Sequence, residues 1–244
     1  MLKSTEIFNQ LTSKKGQIAI LIDPDKTNNN GYLANLLKKA QFANVNYFFV
    51  GGSTVSREDF ESCISYIKEN SSIPVVIFPG ASHQISEKAD AILYLSLISG
   101  RNPDYLIGHH VQSAKELFEM EIEVIPTAYI LIDGGTNSAV AYVSQTTPIP
   151  PDKKSIIVNT AKAGLLQGKK ILYLDAGSGA KNAISSEITS SLSTLGAPII
   201  IGGGIRSIEQ IENASNANVI VIGNKLEEDI NFLLDIKSFI EQSV

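Results

Sequence analysis

YLDAGSGA, at residues 173–180, decides the fold: an apolar strand runs into an acid, Asp175, and then into a loop of glycines. Two later stretches repeat this pattern, IIIGGGIRS at 199–207 and VIVIGN at 219–224. In parallel sheets and barrels, ligands bind at the carboxyl ends of the strands. Three consecutive strands that end in glycine therefore predict one anion site built from adjacent loops.

The rest of the chain alternates short apolar runs with amphipathic stretches, which brings the number of predicted strands to eight. The first five lie at residues 17–23, 47–50, 74–78, 91–97 and 123–133. Near-continuous apolar strands indicate a parallel sheet that is covered on both faces. Eight such units in 244 residues favour a closed (β/α)8 TIM barrel, an α/β fold in which residues 1–244 form a single domain.

A doubly wound open sheet is the alternative architecture. It predicts a glycine-rich turn after the first strand, whereas the glycines here cluster late in the chain. Neither GxGxxG nor GxxxxGK[ST] is present, which disfavours a dinucleotide site and a P-loop.

Two connections depart from the regular alternation. The interval between Phe78 and Ala91 is too short for a crossover helix with its loops, so the helix after the third strand is predicted to be missing or reduced. The segment 134–153 is long, with glycines at one end and prolines at the other. Long connections of this kind tend to be functional.

Composition narrows the class of protein. The net charge is −5 and the charges are mixed along the chain, which argues against nucleic acid as a partner. The single Cys63 excludes an internal disulfide and a cysteine-based metal site. The polar start MLKSTEIFNQL is unlike a signal peptide, and no apolar run is long enough to span a bilayer. We expect a soluble, cytoplasmic protein with at most peripheral membrane contact.

The late glycines point to phosphate as the anion. Gly203 and Gly204 lack side chains, so backbone N–H groups there can approach phosphate oxygens. A helix that begins near Ser207 would add its positive N-terminus. One such loop alone would indicate no more than a tight turn, but three adjacent loops favour phosphate.

The first two strand ends carry hard oxygen donors. Asp23 closes the first strand, and Ser53 or Thr54 follows the second, so these oxygens can meet at the barrel mouth as Mg²⁺ ligands. A structural hydrogen bond to a loop explains Asp23 equally well. Asp25 is expected to cap the turn that follows.

Tyr173 and Asp175 alternate along the sixth strand and can share the inner face of the barrel. There Asp175 could accept a proton or stabilise positive charge, and Tyr173 could donate a hydrogen bond. The alternative is a core tyrosine with a helix-capping aspartate.

The histidines and several cationic side chains are expected to have structural rather than functional roles. The histidines form no metal triad and are expected at the surface or in packing: His83, His109 and His110. Four cations are candidate anion contacts, although solvation is the simpler expectation: Lys26, Arg57, Arg101 and Arg206.

Motifs at most strand ends are similar, in order, to those of one family. They are LIDPDK at 21–26, FVGGS at 49–53, FPG at 78–80, the 134–153 segment ending in PIPPDK, YLDAGSGA at 173–180, IGGGIR at 201–206 and IGN at 222–224. The chain resembles the geranylgeranylglyceryl phosphate synthase family, and most of all its longer, group II-type members. The resemblance covers nearly the whole chain.

The resemblance implies a modified (β/α)8 barrel without the third helix. It implies transfer of a prenyl group from a prenyl diphosphate, here geranylgeranyl diphosphate, to the sn-3 hydroxyl of sn-glycerol 1-phosphate. Diphosphate is released and the first ether bond of an ether lipid is formed. The implied cofactor is Mg²⁺, and homo-oligomers are expected.

The resemblance also assigns residues. The Mg²⁺ positions match Asp23 and Ser53. The catalytic positions match Tyr173 and Asp175. The positions that bind sn-glycerol 1-phosphate match Tyr173, Leu174, Asp175, Ala176, Gly177, Ser178, Gly179, Gly203, Gly204, Gly223 and Asn224. One departure is that the family usually has Glu where this chain has Asp175, a side chain shorter by one methylene.

A prenyl tail needs an apolar groove, and loss of the third helix could open one. We expect its lining to include Ile77, Phe78, Tyr94 and Leu97.

The residues alone leave two other functions open. One is a sugar-phosphate isomerase that uses two facing acids, and the other is a non-catalytic binder of a phosphate ligand.

Overall fold

The computed structural model describes residues 5–27 and 31–242, and its eight parallel strands close into a barrel in chain order. The strands are β1 Gln17–Ile22, β2 Tyr47–Val50, β3 Val75–Ile77, β4 Ala91–Leu97, β5 Glu123–Leu131, β6 Ile171–Asp175, β7 Ile199–Gly202 and β8 Val219–Ile222. Closure is made by β1, in which Ile20 pairs with Phe48 of β2 and Ile222 of β8. The predicted (β/α)8 barrel is confirmed, and the open sheet is wrong.

Helices surround the barrel. They are α1 Glu6–Ser13, α2 Pro24–Thr27, α3 Tyr32–Phe42, α4 Arg57–Asn70, a π-helical turn Asp104–Gly108, α5 His109–Glu119, α6 Ala139–Val143, α7 Lys154–Leu166, α8 Ser186–Ser193, α9 Ile208–Ala214, α10 Asn224–Glu228 and α11 Phe232–Gln242. Within the described ranges, none is long and apolar enough to cross a membrane.

Strand alternation divides the buried residues into two layers, since successive side chains of a strand face opposite sides. Inside the barrel, Phe49, Leu93 and Tyr173 pack together. Outside it, Phe48 and Ile77 pack in the layer beneath the helices. Every residue of the short strands β2, β3 and β8 is buried, as expected for a parallel sheet covered on both faces.

The connection from β3 to β4 contains no helix, since residues 78–90 form turns and irregular backbone. The missing helix is therefore confirmed. The placement of Ile77 in the predicted groove is wrong, because its side chain is fully buried in the outer layer. Phe78, the next residue, faces the barrel mouth instead.

A polar network closes the amino-terminal end of the barrel. The Glu123 carboxylate accepts hydrogen bonds from the backbone N–H groups of Ile7 and Phe8 at 2.8 and 2.9 Å, which fixes the start of α1. The buried Tyr47 hydroxyl donates to Gln17 Oε1 at 2.9 Å, and Gln17 Nε2 donates to the Leu11 carbonyl at 2.9 Å. This network lies at the end of the strands opposite the glycine loops.

Candidate active site

A cavity of about 380 Å³ opens at the carboxyl ends of the strands. Its wall includes the glycine loops after β6, β7 and β8, the loops after β1 and β2, and a set of apolar and aromatic side chains. Its size is typical of small-molecule sites. Both the acids and the glycines singled out from the sequence therefore meet in one place.

The three late loops contact one another. Asn224, after β8, accepts hydrogen bonds through Oδ1 from Gly179 N at 2.9 Å and from Ser178 Oγ at 3.1 Å, both after β6. Gly203, after β7, packs so closely that an added Cβ would lie 2.7 Å from Asp175 Oδ1. The predicted adjacency of the three loops is confirmed by these contacts.

The backbone of these loops needs glycine. Gly177, Gly179, Gly203 and Gly204 have φ values of +90°, +73°, +82° and +73°, in the left-handed region that side chains disfavour. At Gly203 an added Cβ would also lie 2.8 Å from Gly177 N, so the two loops touch through bare backbone. The result is an open main-chain surface that an anion can approach.

The other predicted contacts with sn-glycerol 1-phosphate differ in what they present to the cavity. Leu174 and Ala176 direct their side chains into the outer core, so only their backbone is available to a ligand. Gly223 directly precedes α10, and both Gly223 and Asn224 lie on the cavity wall. Ser207 caps the seven-residue helix α9 by accepting from Gln210 N at 3.3 Å, as predicted.

Asp175 lies at the centre of the site and is only 8% exposed. Its Oδ1 accepts from Gly177 N at 2.7 Å, and its Oδ2 accepts a short hydrogen bond from the Tyr129 hydroxyl. Burial raises the pKa of this carboxyl above its usual range, while the bonds from Tyr129 and Gly177 oppose the rise. A buried carboxyl with a raised pKa, held by two donors, is suited to taking up a proton.

Three aromatic rings surround this carboxyl. Tyr173 stacks on Phe78 with ring centroids 4.9 Å apart, and Tyr129 contacts Tyr173 and Phe78 at 5.4 and 5.9 Å. Burial and the neighbouring Asp175 raise the pKa of both Tyr129 and Tyr173 well above the usual tyrosine value. Both phenols therefore stay protonated and can donate hydrogen bonds.

The loops after β1 and β2 form the opposite wall. Asp23 is half-buried, and burial raises the pKa of its carboxyl, partly offset by Lys26 at 3.8 Å. Asp23 Oδ1 accepts from Asp25 N at 3.2 Å, so Asp23 caps the turn that starts at Pro24. The cap predicted for Asp25 stays a prediction, because the turn after it includes residues 28–30, outside the described residues. Asp25 accepts from Thr54 Oγ1 at 2.7 Å, while Ser53 remains exposed on the cavity wall.

From the aromatic cluster the cavity continues over the outward face of β4. Ile92 and Tyr94 line it there, where a regular barrel would carry the missing helix, and Leu97 lines it from the barrel interior. The Tyr94 hydroxyl donates to the His110 carbonyl at 2.9 Å, and the two rings are 4.4 Å apart. Of the predicted lining, Phe78, Tyr94 and Leu97 thus face the cavity.

The histidines and cations are distributed as follows. His110 is buried, as predicted, and both His109 and His110 line the cavity. Lys26 and Arg206 also lie on the cavity wall and pair with Glu227 and Glu228. The remaining three lie elsewhere in hydrogen bonds or ion pairs: His83 with the Val55 carbonyl, Arg57 with Glu116 and Arg101 with the Gly100 carbonyl.

Sequence inspection missed two residues of this site, Tyr129 and Gln84. Tyr129 is the register partner of Tyr173 on the neighbouring strand, and its alternation with Leu131 along β5 was an available signal. Gln84 lies in the irregular segment 78–90, where no periodicity marks a buried residue.

A closed barrel with three contacting glycine loops beside a buried carboxylate defines the class: a (β/α)8 barrel with a candidate phosphate site at its carboxyl end. The tryptophan synthase α-subunit of Pyrococcus furiosus shares this fold, with a TM-score of 0.56 at 12% identity. That likeness concerns the fold alone.

The chain belongs to the PcrB family, whose model matches residues 9–242. A geranylgeranylglyceryl phosphate synthase of Chitinophaga pinensis is 45% identical over 235 residues, which cover 93% of each chain. The crystal structure of (S)-3-O-geranylgeranylglyceryl phosphate synthase from Thermoplasma acidophilum in complex with its substrate sn-glycerol-1-phosphate superposes with a TM-score of 0.89 at 31% identity, covering 99% of this chain and 98% of that one. The family resemblance predicted from the motifs is confirmed.

Proposed function

We propose that this protein transfers a prenyl group from a prenyl diphosphate to the sn-3 hydroxyl of sn-glycerol 1-phosphate, forming an ether and releasing diphosphate. One observation carries the proposal: a glycine-built anion site and an apolar groove meet at a buried carboxylate, Asp175. A reaction between a phosphorylated polar acceptor and a long apolar donor needs these three parts together. The named relatives and the acceptor-bound relative support it.

The loops after β6, β7 and β8 would hold the acceptor by its phosphate. Backbone N–H groups of Gly203 and Gly204 would donate to phosphate oxygens, while those of Gly177 and Gly179 hold Asp175 and Asn224 in place. Asn224 ties the first and last of these loops together, so the acceptor phosphate would meet a pre-organised surface. Fixing the phosphate orients the glycerol hydroxyl for attack.

Asp175 would act at the reacting end of the acceptor. As the allylic C1–O bond of the donor breaks, positive charge develops on the prenyl carbon, and a nearby carboxylate stabilises it. The acceptor hydroxyl oxygen bonds to that carbon, and its proton passes to the carboxylate, whose raised pKa favours the uptake. Tyr173 would donate a hydrogen bond beside the reacting groups.

The donor's tail would lie along the groove between β4 and α5. Phe78 stands where the groove meets the acid, and Tyr94 and Leu97 continue its apolar wall. The groove exists because residues 78–90 replace a covering helix. A sugar-phosphate isomerase would leave this apolar surface without a use.

The residues at the first two strand ends fit Mg²⁺. Asp23 and Ser53 present a carboxylate and a hydroxyl to the cavity, and Mg²⁺ is commonly held by one or two carboxylates, substrate phosphates and water. Within residues 5–27 and 31–242, no cluster of three or more acidic, histidine or cysteine side chains offers a site built from protein alone. When bound, Mg²⁺ would neutralise charge on the departing diphosphate.

We further propose that the protein is a cytoplasmic homo-oligomer. Three large apolar side chains on the π-helical turn and α5 are strongly exposed: Ile107 at 58%, Val111 at 69% and Phe118 at 82%. Their positions place them along one side of the helix, and a second copy would cover them. Light scattering of wild type and Phe118→Glu tests this, with a smaller particle expected for the variant.

Activity with and without EDTA tests the proposed chemistry. Wild type with geranylgeranyl diphosphate, sn-glycerol 1-phosphate and Mg²⁺ should yield an ether detectable by mass spectrometry, and EDTA should suppress it. Asp175→Asn should bind sn-glycerol 1-phosphate but form almost no product. Undiminished ether formation in EDTA would show that the transfer needs no metal ion. A wild type that forms no ether would favour another barrel enzyme such as the isomerase, or, if it still binds sn-glycerol 1-phosphate, a binding protein.

A further inference from the structure

Gln84 is a fully buried polar side chain that connects two loops of the site. Its exposed fraction is 0%, although it lies in the irregular segment between β3 and β4. Its Nε2 donates to the Gly52 carbonyl, after β2, at 2.7 Å. Its Oε1 accepts from Gly80 N, after β3, at 2.9 Å. Each end of one amide thus holds the backbone of a different loop.

The two loops touch through bare backbone at this point. A Cβ on Gly80 would lie 2.2 Å from the Gly52 carbonyl oxygen, and a Cβ on Gly51 would lie 1.8 Å from that of Phe78. Neither distance is compatible with a side chain, so the loops can approach only as glycines. Gln84 supplies the hydrogen bonds that hold them in this contact.

The loop held by Gln84 carries Ser53 and packs against Asp23, the two residues assigned to the donor end. A Cβ on Gly52 would lie 2.5 Å from Asp23 Oδ1, so the Asp23 carboxylate lies directly against this backbone. Ser53 is the next residue. His83 holds the far end of the same loop, since its Nε2 bonds to the Val55 carbonyl at 2.9 Å, and a carbonyl can only accept.

We propose that Gln84 is a positioning residue that fixes the Gly52–Ser53 backbone beside Asp23 for the donor's diphosphate. This rests on the proposed function. The segment that replaces the missing helix would then have two uses: it leaves the groove open, and it supplies the side chain that aligns the diphosphate end. Gln84 acts through Gly52 and Gly80 and touches no reacting atom.

Gln84→Met tests this, because methionine keeps the unbranched shape and loses both hydrogen bonds. Without them, Ser53 and Asp23 would lose their alignment, and misplacement of about 1 Å can cost roughly 100-fold in rate. We expect kcat/KM for the prenyl diphosphate to fall roughly 10- to 100-fold. The KM and calorimetric Kd for sn-glycerol 1-phosphate should stay at wild-type values, since that ligand is held by the loops after β6 to β8.

Gln17→Met is the matched control. Gln17 is also a buried glutamine, and it both donates and accepts at 2.9 Å, but at the opposite end of the barrel. Gln17→Met should lower Tm by about as much as Gln84→Met does, while leaving kcat and KM for both substrates unchanged. Gln84→Asn, which keeps an amide but is too short to span both loops, replaces the methionine variant if that variant does not fold.

Calorimetry with a prenyl thiolodiphosphate, which cannot react readily, gives a readout independent of turnover. In the presence of Mg²⁺ the Gln84 variant should bind it at least tenfold more weakly than the Gln17 variant does. Equal donor binding and equal kinetics in the two variants would overturn the inference, as would an equal loss for both substrates. An inactive wild type would instead refute the proposed function.

Discussion

Replacing Tyr129 with phenylalanine removes one oxygen atom from the centre of the site. The Tyr129 hydroxyl donates to Asp175 Oδ2, and both side chains are buried, with exposed fractions of 5% and 8%. A hydrogen bond to a charged group contributes about 1.5–3 kcal/mol to stability. At about 2–4 °C per kcal/mol for a chain of this size, Tyr129→Phe should lower Tm by about 3–12 °C.

The same substitution should change the pH dependence of catalysis. The Tyr129 bond lowers the pKa of Asp175, so its loss raises that pKa further. The ionised carboxylate then forms only at higher pH, and the acid limb of kcat/KM should move upward in pH. Differential scanning calorimetry measures the first effect, and initial rates across a pH series measure the second.

Tyr47→Phe is the control for this experiment. Tyr47 is a buried tyrosine whose hydroxyl donates to a neutral acceptor, Gln17 Oε1, at 2.9 Å. Its loss should cost about 0.5–1.5 kcal/mol and leave the acid limb in place. The account of Asp175 is refuted if the Tyr129 variant keeps the wild-type acid limb, or if it loses no more stability than the Tyr47 variant.

Three further substitutions test other parts of the site. Asp175→Asn should lower kcat by roughly 10²- to 10⁴-fold. It should also raise the free energy of unfolding at neutral pH: burial raises the pKa of Asp175, so its charge costs stability above that pKa, and the gain should vanish below about pH 4. Gly203→Ala, at φ +82° and 2.7 Å from Asp175 Oδ1, should weaken sn-glycerol 1-phosphate binding at least tenfold by calorimetry. Leu97→Trp should shift the preferred prenyl diphosphate to a shorter chain in competition assays, because Leu97 lines the groove.

For each of these three predictions, one result would contradict it. A stability loss at neutral pH for Asp175→Asn would show that the buried charge is not costly. Gly168→Ala is matched to Gly203→Ala, since Gly168 has φ +84° with open space around it. Gly168→Ala should strain the backbone to a similar degree and leave the affinity for sn-glycerol 1-phosphate unchanged. Equal affinities in the two variants would show that Gly203 does not contribute to the binding site. An unchanged chain-length preference would remove Leu97 from the groove.

The barrel could be predicted because its signals are local. Eight apolar runs separated by amphipathic stretches are visible in single windows of sequence, and the short interval after Phe78 has no room for a helix. The glycines after β6, β7 and β8 follow directly from the strand ends. Their contact with one another then follows from the barrel order, because sequential strands are neighbours.

The errors and omissions have non-local causes. Ile77 and Phe78 are adjacent in an extended chain and face opposite sides, and Ile77 is covered in the outer core whereas Phe78 faces the cavity. The bond from Tyr129 to Asp175 joins residues 46 positions apart and depends on the register of β5 against β6. Gln84 becomes visible only when two glycine loops are seen to touch in space.

The most direct measurement incubates the protein with labelled sn-glycerol 1-phosphate, Mg²⁺ and a panel of prenyl diphosphates from C15 to C35, one at a time. Label should enter an organic-extractable ether for at least one donor, and geranylgeranyl diphosphate should give the highest kcat/KM. Absence of an ether product from every donor would contradict the account.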